Sequence, residues 1–201
     1  MLKKAFIPFK GYYSSPFSRW QGTLQYENAI VLGATTAKRW LESKGWDPTQ
    51  YEYVVFGNTI GQHHQFYSNS WAAAMMGAPH VSAVTISQAC TTSTTCIWTA
   101  AQGVENGMYN MVAALMTDRR SNGPHTVWPN PLGPGAEVIS ENWLMDNFNS
   151  DPSPGAGKRM IETAENVGRE AGFTKAQCDD RTLKRYEQYL MALDNDRAFQ
   201  K

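Results

Sequence analysis

Cys90 ends an apolar, β-rich run, Val81-Ser-Ala-Val-Thr-Ile-Ser-Gln-Ala89, and precedes a helix-compatible stretch, Thr91-Thr-Ser-Thr-Thr-Cys-Ile-Trp-Thr-Ala-Ala-Gln102. A strand-to-helix junction gathers free backbone N–H groups at the positive end of a helix dipole, and both stabilise negative charge developing there. A cysteine in that position has the geometry expected of a nucleophile for acyl transfer. Taken without context, a strand-end cysteine also fits a packing role.

The other reactive side chains carry less. Cys96 lies six residues further along the same predicted helix, so it shares no face with Cys90 and reads as a small core residue. Cys178 falls within a later helix. His63-His64 are adjacent but have no ligand-type neighbours at metal spacing, so no metal site is expected and a surface or interface role fits them better. With only three cysteines, an odd number lacking C-x-x-C spacing, a disulfide framework is not expected.

The elements that would hold Cys90 follow from periodicity. Residues 4–9 read as a first strand and 27–44 as a helix closed by Gly45, with Ile30, Val31, Ala34, Ala37, Trp40 and Leu41 at helical spacing. Tyr53-Val-Val-Phe56 is a short buried-strand pattern. Residues 68–76 suit a helix, 82–89 a strand, 91–106 a helix and 111–116 a strand. This alternation predicts an α/β fold, a mostly parallel mixed sheet with helices on both faces, and places Cys90 where such sheets gather ligands.

From about residue 118 the chain becomes rich in Pro and Gly, as in Trp128-Pro-Asn-Pro-Leu-Gly-Pro-Gly135. Residues 1–117 are therefore expected to form the core and 118–201 a loop region with helices: a short one at 137–147, another at about 158–171, and a last one to about 194 opened by the capping box Thr174-Lys-Ala-Gln177. At 201 residues the chain can bury a core of its own. Its eighteen basic and eighteen acidic residues cancel, which favours neither nucleic acid nor an anionic membrane as partner. Neither a signal-type apolar segment nor a membrane-length run occurs, so a soluble cytoplasmic protein is expected. The many aromatic residues are expected to serve core and subunit-interface packing.

In collinear order, several segments resemble the N-terminal half of the thiolase family. Arg19-Trp-Gln-Gly-Thr-Leu24 resembles its Gly-x-Leu loop, Val54-Val-Phe-Gly-Asn-Thr59 its "V-x-x-G-N-V" segment, and Val84-Thr-Ile-Ser-Gln-Ala-Cys90 the strand delivering the nucleophile. Ser121-Asn-Gly-Pro-His125 is similar to "M-S-x-A-P", Met160-Ile-Glu-Thr-Ala-Glu-Asn-Val167 to "M-G-x-T-A-E-N", and Phe173-Thr-Lys-Ala-Gln-Cys-Asp179 to "G-I-S-R-E-x-Q-D". The chain departs from the pattern at Thr91-Thr92, where the family usually has Ser-Gly, at Arg159 in place of a common His, and at Ile161 in place of Gly. A β-branched Thr beside the nucleophile narrows or reshapes the acyl site.

The resemblance implies a coenzyme A thioester as substrate, no tightly bound cofactor, and acyl transfer through Cys90 in either thiolytic cleavage or Claisen condensation. It implies Thr91, Thr92 and Met160 near the acyl group. Arg119 and Arg120 are candidates for the CoA phosphates, weighed against an ordinary solvated turn. The family's second half supplies a Gly-His-Pro histidine, an Asn-containing motif holding a catalytic water and a second cysteine in a Cys-x-Gly turn. None of these motifs occurs among His63, His64, His80, His125 and Cys178. The expectation is therefore a split thiolase, a dimer or higher heteromer in which a second chain carries the C-terminal half. The alternatives are a non-catalytic thiolase-fold scaffold or acyl-CoA-binding subunit, and a ketosynthase-type condensing subunit.

Overall fold

The computed structural model describes residues 2–121, 126–130, 132–133, 138–141 and 160–197. Contacts within the chain group it into two compact units, Met1–Pro124 and His125–Lys201.

In the first unit, helix α1 (Ala29–Lys44) begins where the Asn28 side chain accepts hydrogen bonds from the N–H groups of Ile30 and Val31. It ends at Gly45, whose left-handed φ of 65° lets Trp46 N–H reach back to Leu41 O. Ile30, Ala34 and Leu41 are buried on one face, as the periodicity requires. Strand β1 (Tyr53–Gly57) is central, with β2 (Ser82–Ile86) on one side and β3 (Val112–Met116) on the other, all parallel. Val54, Val55 and Phe56 are fully buried, so both faces of β1 are covered. Val54 and Phe56 pack with α1 and α2 (Ser68–Met75). The opposite face meets α3 (Thr92–Glu105), whose Cys96 thiol lies against Gly57.

The contact between α3 and β1 is close because Gly57 has no side chain: a Cβ there would lie 2.6 Å from Cys96 Sγ and 3.1 Å from Thr92 Cγ2. Burial pushes the Cys96 thiol pKa up. Tyr53 stacks on Tyr109 with ring centroids 4.7 Å apart.

Two elements differ from expectation. Residues 4–9 are not a strand. The N–H groups of Lys3, Lys4 and Ala5 converge instead on the Glu105 carboxylate at the end of α3. Pro8, lacking an N–H, starts a turn closed by Gly11 N–H to Pro8 O. The 137–147 helix is likewise replaced over part of its length. In the second unit β5 (Val138–Glu141) pairs antiparallel with β4 (Thr126–Pro129), consistent with the β-branched residues Val138 and Ile139. The remainder of that predicted helix lies outside the described residues.

The second unit also contains α4 (Met160–Ala171) and α5 (Lys175–Arg197), the latter losing helical dihedrals at Asp194–Asp196. Residues 158 and 159 of the predicted helix lie outside the described residues. The predicted capping box is present in both directions: Gln177 N–H donates to Thr174 Oγ1 at 3.3 Å, and Thr174 N–H donates to Gln177 Oε1 at 2.9 Å.

Candidate active site

Because β1, β2 and β3 are parallel, their carboxyl ends share one edge of the sheet, and the loops after Gly57, Ile86 and Met116 meet there. Strand β2 stops at Ile86, three residues short of expectation, because Gln88 (φ −142°, ψ 47°) and Ala89 (φ 46°) leave the extended region. The chain then makes a single 3₁₀ turn, Ala89–Thr91, and enters α3. Cys90 sits in this turn and is exposed. A positive φ is unfavourable for alanine, so the turn is held by its surroundings.

The holding groups are hydroxyls. Thr92 Oγ1 accepts from Gln88 N–H and donates to Ala89 O, each at 2.8 Å. Thr91 Oγ1 donates to Gln88 O at 2.9 Å, and Thr95 Oγ1 to Gln88 Oε1 at 2.5 Å. Thr59 Oγ1, from the loop after β1, lies 3.2 Å from Ala89 O and 3.1 Å from Thr92 Oγ1. The Cys90 N–H makes no hydrogen bond to another described residue.

The loop after β1 is itself clamped. Asp118 accepts from the N–H groups of Thr59 (3.0 Å) and Ile60 (2.8 Å) and from Asn58 Nδ2 (3.2 Å). Asn58 Nδ2 also donates to Thr117 O at 2.9 Å, tying the end of β1 to the end of β3. Asn58, Thr59 and Gln88 were not singled out from the sequence. The available signal was an Asx residue within two residues of the end of each of two parallel strands, Asn58 after β1 and Asp118 after β3, a position that favours side-chain capping of the loop.

The remaining candidates are dispersed. Thr91 is exposed beside Cys90, whereas Thr92 is buried with its hydroxyl committed to the turn. Arg119 is half-buried and donates to Gln25 O, Ser121 O and Gln62 Oε1, which braces the loop preceding α1. These contacts occupy donors that a phosphate would need. Arg120 is exposed. Met160 opens α4 in the second unit and is exposed. The His63 and His64 rings meet edge to face, 4.3 Å between centroids. Among the described residues, no three His, Cys, Asp or Glu side chains converge as metal ligands, and none of these side chain types hydrogen-bonds the Cys90 thiol.

The family model for the thiolase N-terminal domain matches residues 11–201. The chain belongs to the thiolase family. A probable acetyl-CoA acetyltransferase of Escherichia coli is 25% identical over 194 residues, covering 93% of this chain and 48% of the relative. A cytosolic acetyl-CoA acetyltransferase of Gibberella zeae is 29% identical over 146 residues, 68% of this chain and 36% of the relative. The thiolase chain therefore spans about half the length of its bacterial relative and less of the fungal one. Among solved structures, human mitochondrial 3-ketoacyl-CoA thiolase in complex with CoA superposes with a TM-score of 0.71 at 22% identity, covering 90% of this chain and 46% of that one. Acetyl-CoA acetyltransferase of Bacillus anthracis gives 0.70 at 22% identity, with 90% and 45% covered. These likenesses establish the thiolase fold of the described α/β unit.

Proposed function

We propose that the chain is the nucleophile-bearing half of an acyl-CoA acyltransferase. Cys90 Sγ attacks the thioester carbonyl carbon of an acyl-CoA. A new C–S bond forms, the bond from that carbon to the CoA sulfur breaks, and the proton lost by Cys90 ends on the departing CoA thiol. In the condensing direction the acyl group then passes from Cys90 to the enolate carbon of a second acyl-CoA, forming a carbon–carbon bond and freeing the thiol. In thiolysis Cys90 Sγ instead attacks the 3-keto carbon of a β-ketoacyl-CoA, the C2–C3 bond breaks, the departing acyl-CoA enolate takes a proton on carbon, and the acyl group passes from Cys90 to a CoA thiol. The Cys90 N–H donates to the oxyanion in each tetrahedral intermediate.

The observation that supports this reading most directly is the exposed Cys90 in a strand–turn–helix junction, its N–H bonded to no other described residue. The general base and the second acid/base group come from a complementary thiolase half, carried by a second chain in a cytoplasmic heteromer. The match to the thiolase N-terminal domain supports placing those groups outside the matched segment. Thr91 lines the acyl site, Thr92 shapes it by holding the turn, Met160 contacts the acyl chain and Arg120 a CoA phosphate. Arg119 acts through the loop it braces.

The test is intact mass of the protein, purified with whatever copurifies, before and after acetyl-CoA and acetoacetyl-CoA. An acyl adduct that disappears in Cys90→Ala is the expected result. Wild-type protein that stays unacylated with both thioesters in the presence of its partner would sink the proposal in favour of a scaffold.

A further inference from the structure

We propose that Thr59 is a positioning residue that orients the Cys90 N–H toward the oxyanion; this rests on the acyl-transfer reading above. Ala89 and Cys90 share a peptide plane, and in a trans peptide the carbonyl oxygen and the following N–H point to opposite sides. Fixing Ala89 O therefore fixes the direction of Cys90 N–H. Two hydroxyls surround Ala89 O: Thr92 Oγ1 at 2.8 Å and Thr59 Oγ1 at 3.2 Å. The single Thr92 proton is used on Ala89 O while its oxygen accepts from Gln88 N–H. Thr59 then donates either to Ala89 O directly or to Thr92 Oγ1 at 3.1 Å, and both routes restrain the same carbonyl.

Thr59 can hold the turn because it is itself held. Its N–H donates to Asp118 Oδ2, and the neighbouring Asn58 and Ile60 donate to Oδ1 of the same carboxylate. The restraint thus runs from the end of β3 through the loop after β1 to the turn after β2. It acts on a residue at φ 46°, which without such contacts would relax to a negative φ and rotate the peptide plane.

The experiment compares Thr59→Val, which removes the hydroxyl at nearly constant shape, with Thr59→Ser, which restores it. The rate of Cys90 acylation by acetyl-CoA is followed by intact mass on the protein with its copurifying partner. Cys90 alkylation by iodoacetamide, which forms no oxyanion, is followed in parallel. Thr59→Val is expected to slow acylation up to about tenfold, the scale of one net hydrogen bond, while alkylation is unchanged and Thr59→Ser recovers the acylation rate. Equal acylation by Thr59→Val and wild type would overturn the role of Thr59 and leave the nucleophile reading intact. Parallel losses of acylation and alkylation, or no recovery in Thr59→Ser, would overturn it too, by making the effect one of thiol access or packing. A wild-type protein with no Cys90-dependent adduct would remove the nucleophile reading and this role with it.

Discussion

A single hydroxyl, on Thr92, accepts from the backbone before Cys90 and donates to the carbonyl of the residue preceding it. Valine would preserve the shape but leave Gln88 N–H without its acceptor. Thr92→Val should therefore destabilise the protein by about 0.5–1.5 kcal/mol, the net worth of one hydrogen bond at a partly buried site. Chemical denaturation measures this, and an unchanged midpoint would show that water replaces the hydroxyl. The same logic explains why Thr91-Thr92 serves here in place of the family's Ser-Gly. The first is exposed next to the thiol, and the second is turned inward to hold the chain.

At the scale of elements, the docking of α3 on β1 depends on Gly57. Adding a Cβ there, 2.6 Å from Cys96 Sγ and 3.0 Å from Met116 Cγ, forces the helix and strand apart. Gly57→Ala should cost about 1–3 kcal/mol by overpacking. Combining it with Cys96→Ala should recover part of that loss, since the two positions share the contact. Thermal melts of the two single variants and the double variant check this, and strict additivity would place the strain elsewhere.

The other end of α3 carries a pH-sensitive tie. Backbone N–H groups of Lys4, then Lys3 and Ala5, hold the Glu105 carboxyl below its ordinary pKa. A depressed carboxylate pKa adds stability that is present above the unfolded value and lost as pH falls through the folded value. Amide resonances of Lys3, Lys4 and Ala5 should therefore stay fixed at neutral pH and shift together in acid, below the usual glutamate range. Glu105→Gln should weaken the tie at neutral pH and abolish that acid transition. Independent titration of the three amides would contradict a shared carboxylate.

On the scale of the whole molecule, the proposed split between two polypeptides predicts that turnover depends on both. Separating the chain from a copurifying complementary half should lower acetoacetyl-CoA thiolysis by on the order of a hundredfold or more, the contribution of general acid–base catalysis. Thiolysis assays of the separated and recombined chains test it, and full turnover by this chain alone would end the two-part reading. Aromatic side chains expected in a core or subunit interface bear on the same point. Phe6 and Phe9 are 82% and 90% exposed, and Phe17, Tyr26 and Phe66 are also at the surface.

The sequence by itself determined the elements whose signals are local. The 3.6-residue spacing from Ile30 to Leu41, the Gly45 cap, the apolar run Val54–Phe56 and the Thr174–Gln177 box each specify their structure within a few bonds along the chain. It also located Cys90 at a strand-to-helix junction, because both flanking patterns are strong. Residues 4–9 were misread because a β-like composition does not supply a partner strand, and the described structure gives those residues the Glu105 carboxylate instead. Val138–Glu141 depended on pairing with Thr126–Pro129, a contact between distant residues that no window of sequence contains. Tertiary structure alone decided that Thr59, held by Asp118, would meet the Cys90 turn and that Arg119 would brace a loop. Three parallel strands bring their carboxyl ends to one edge, so groups 30 to 60 residues apart become hydrogen-bond partners. Their identities are written in the chain, but their proximity follows only from the register of the sheet.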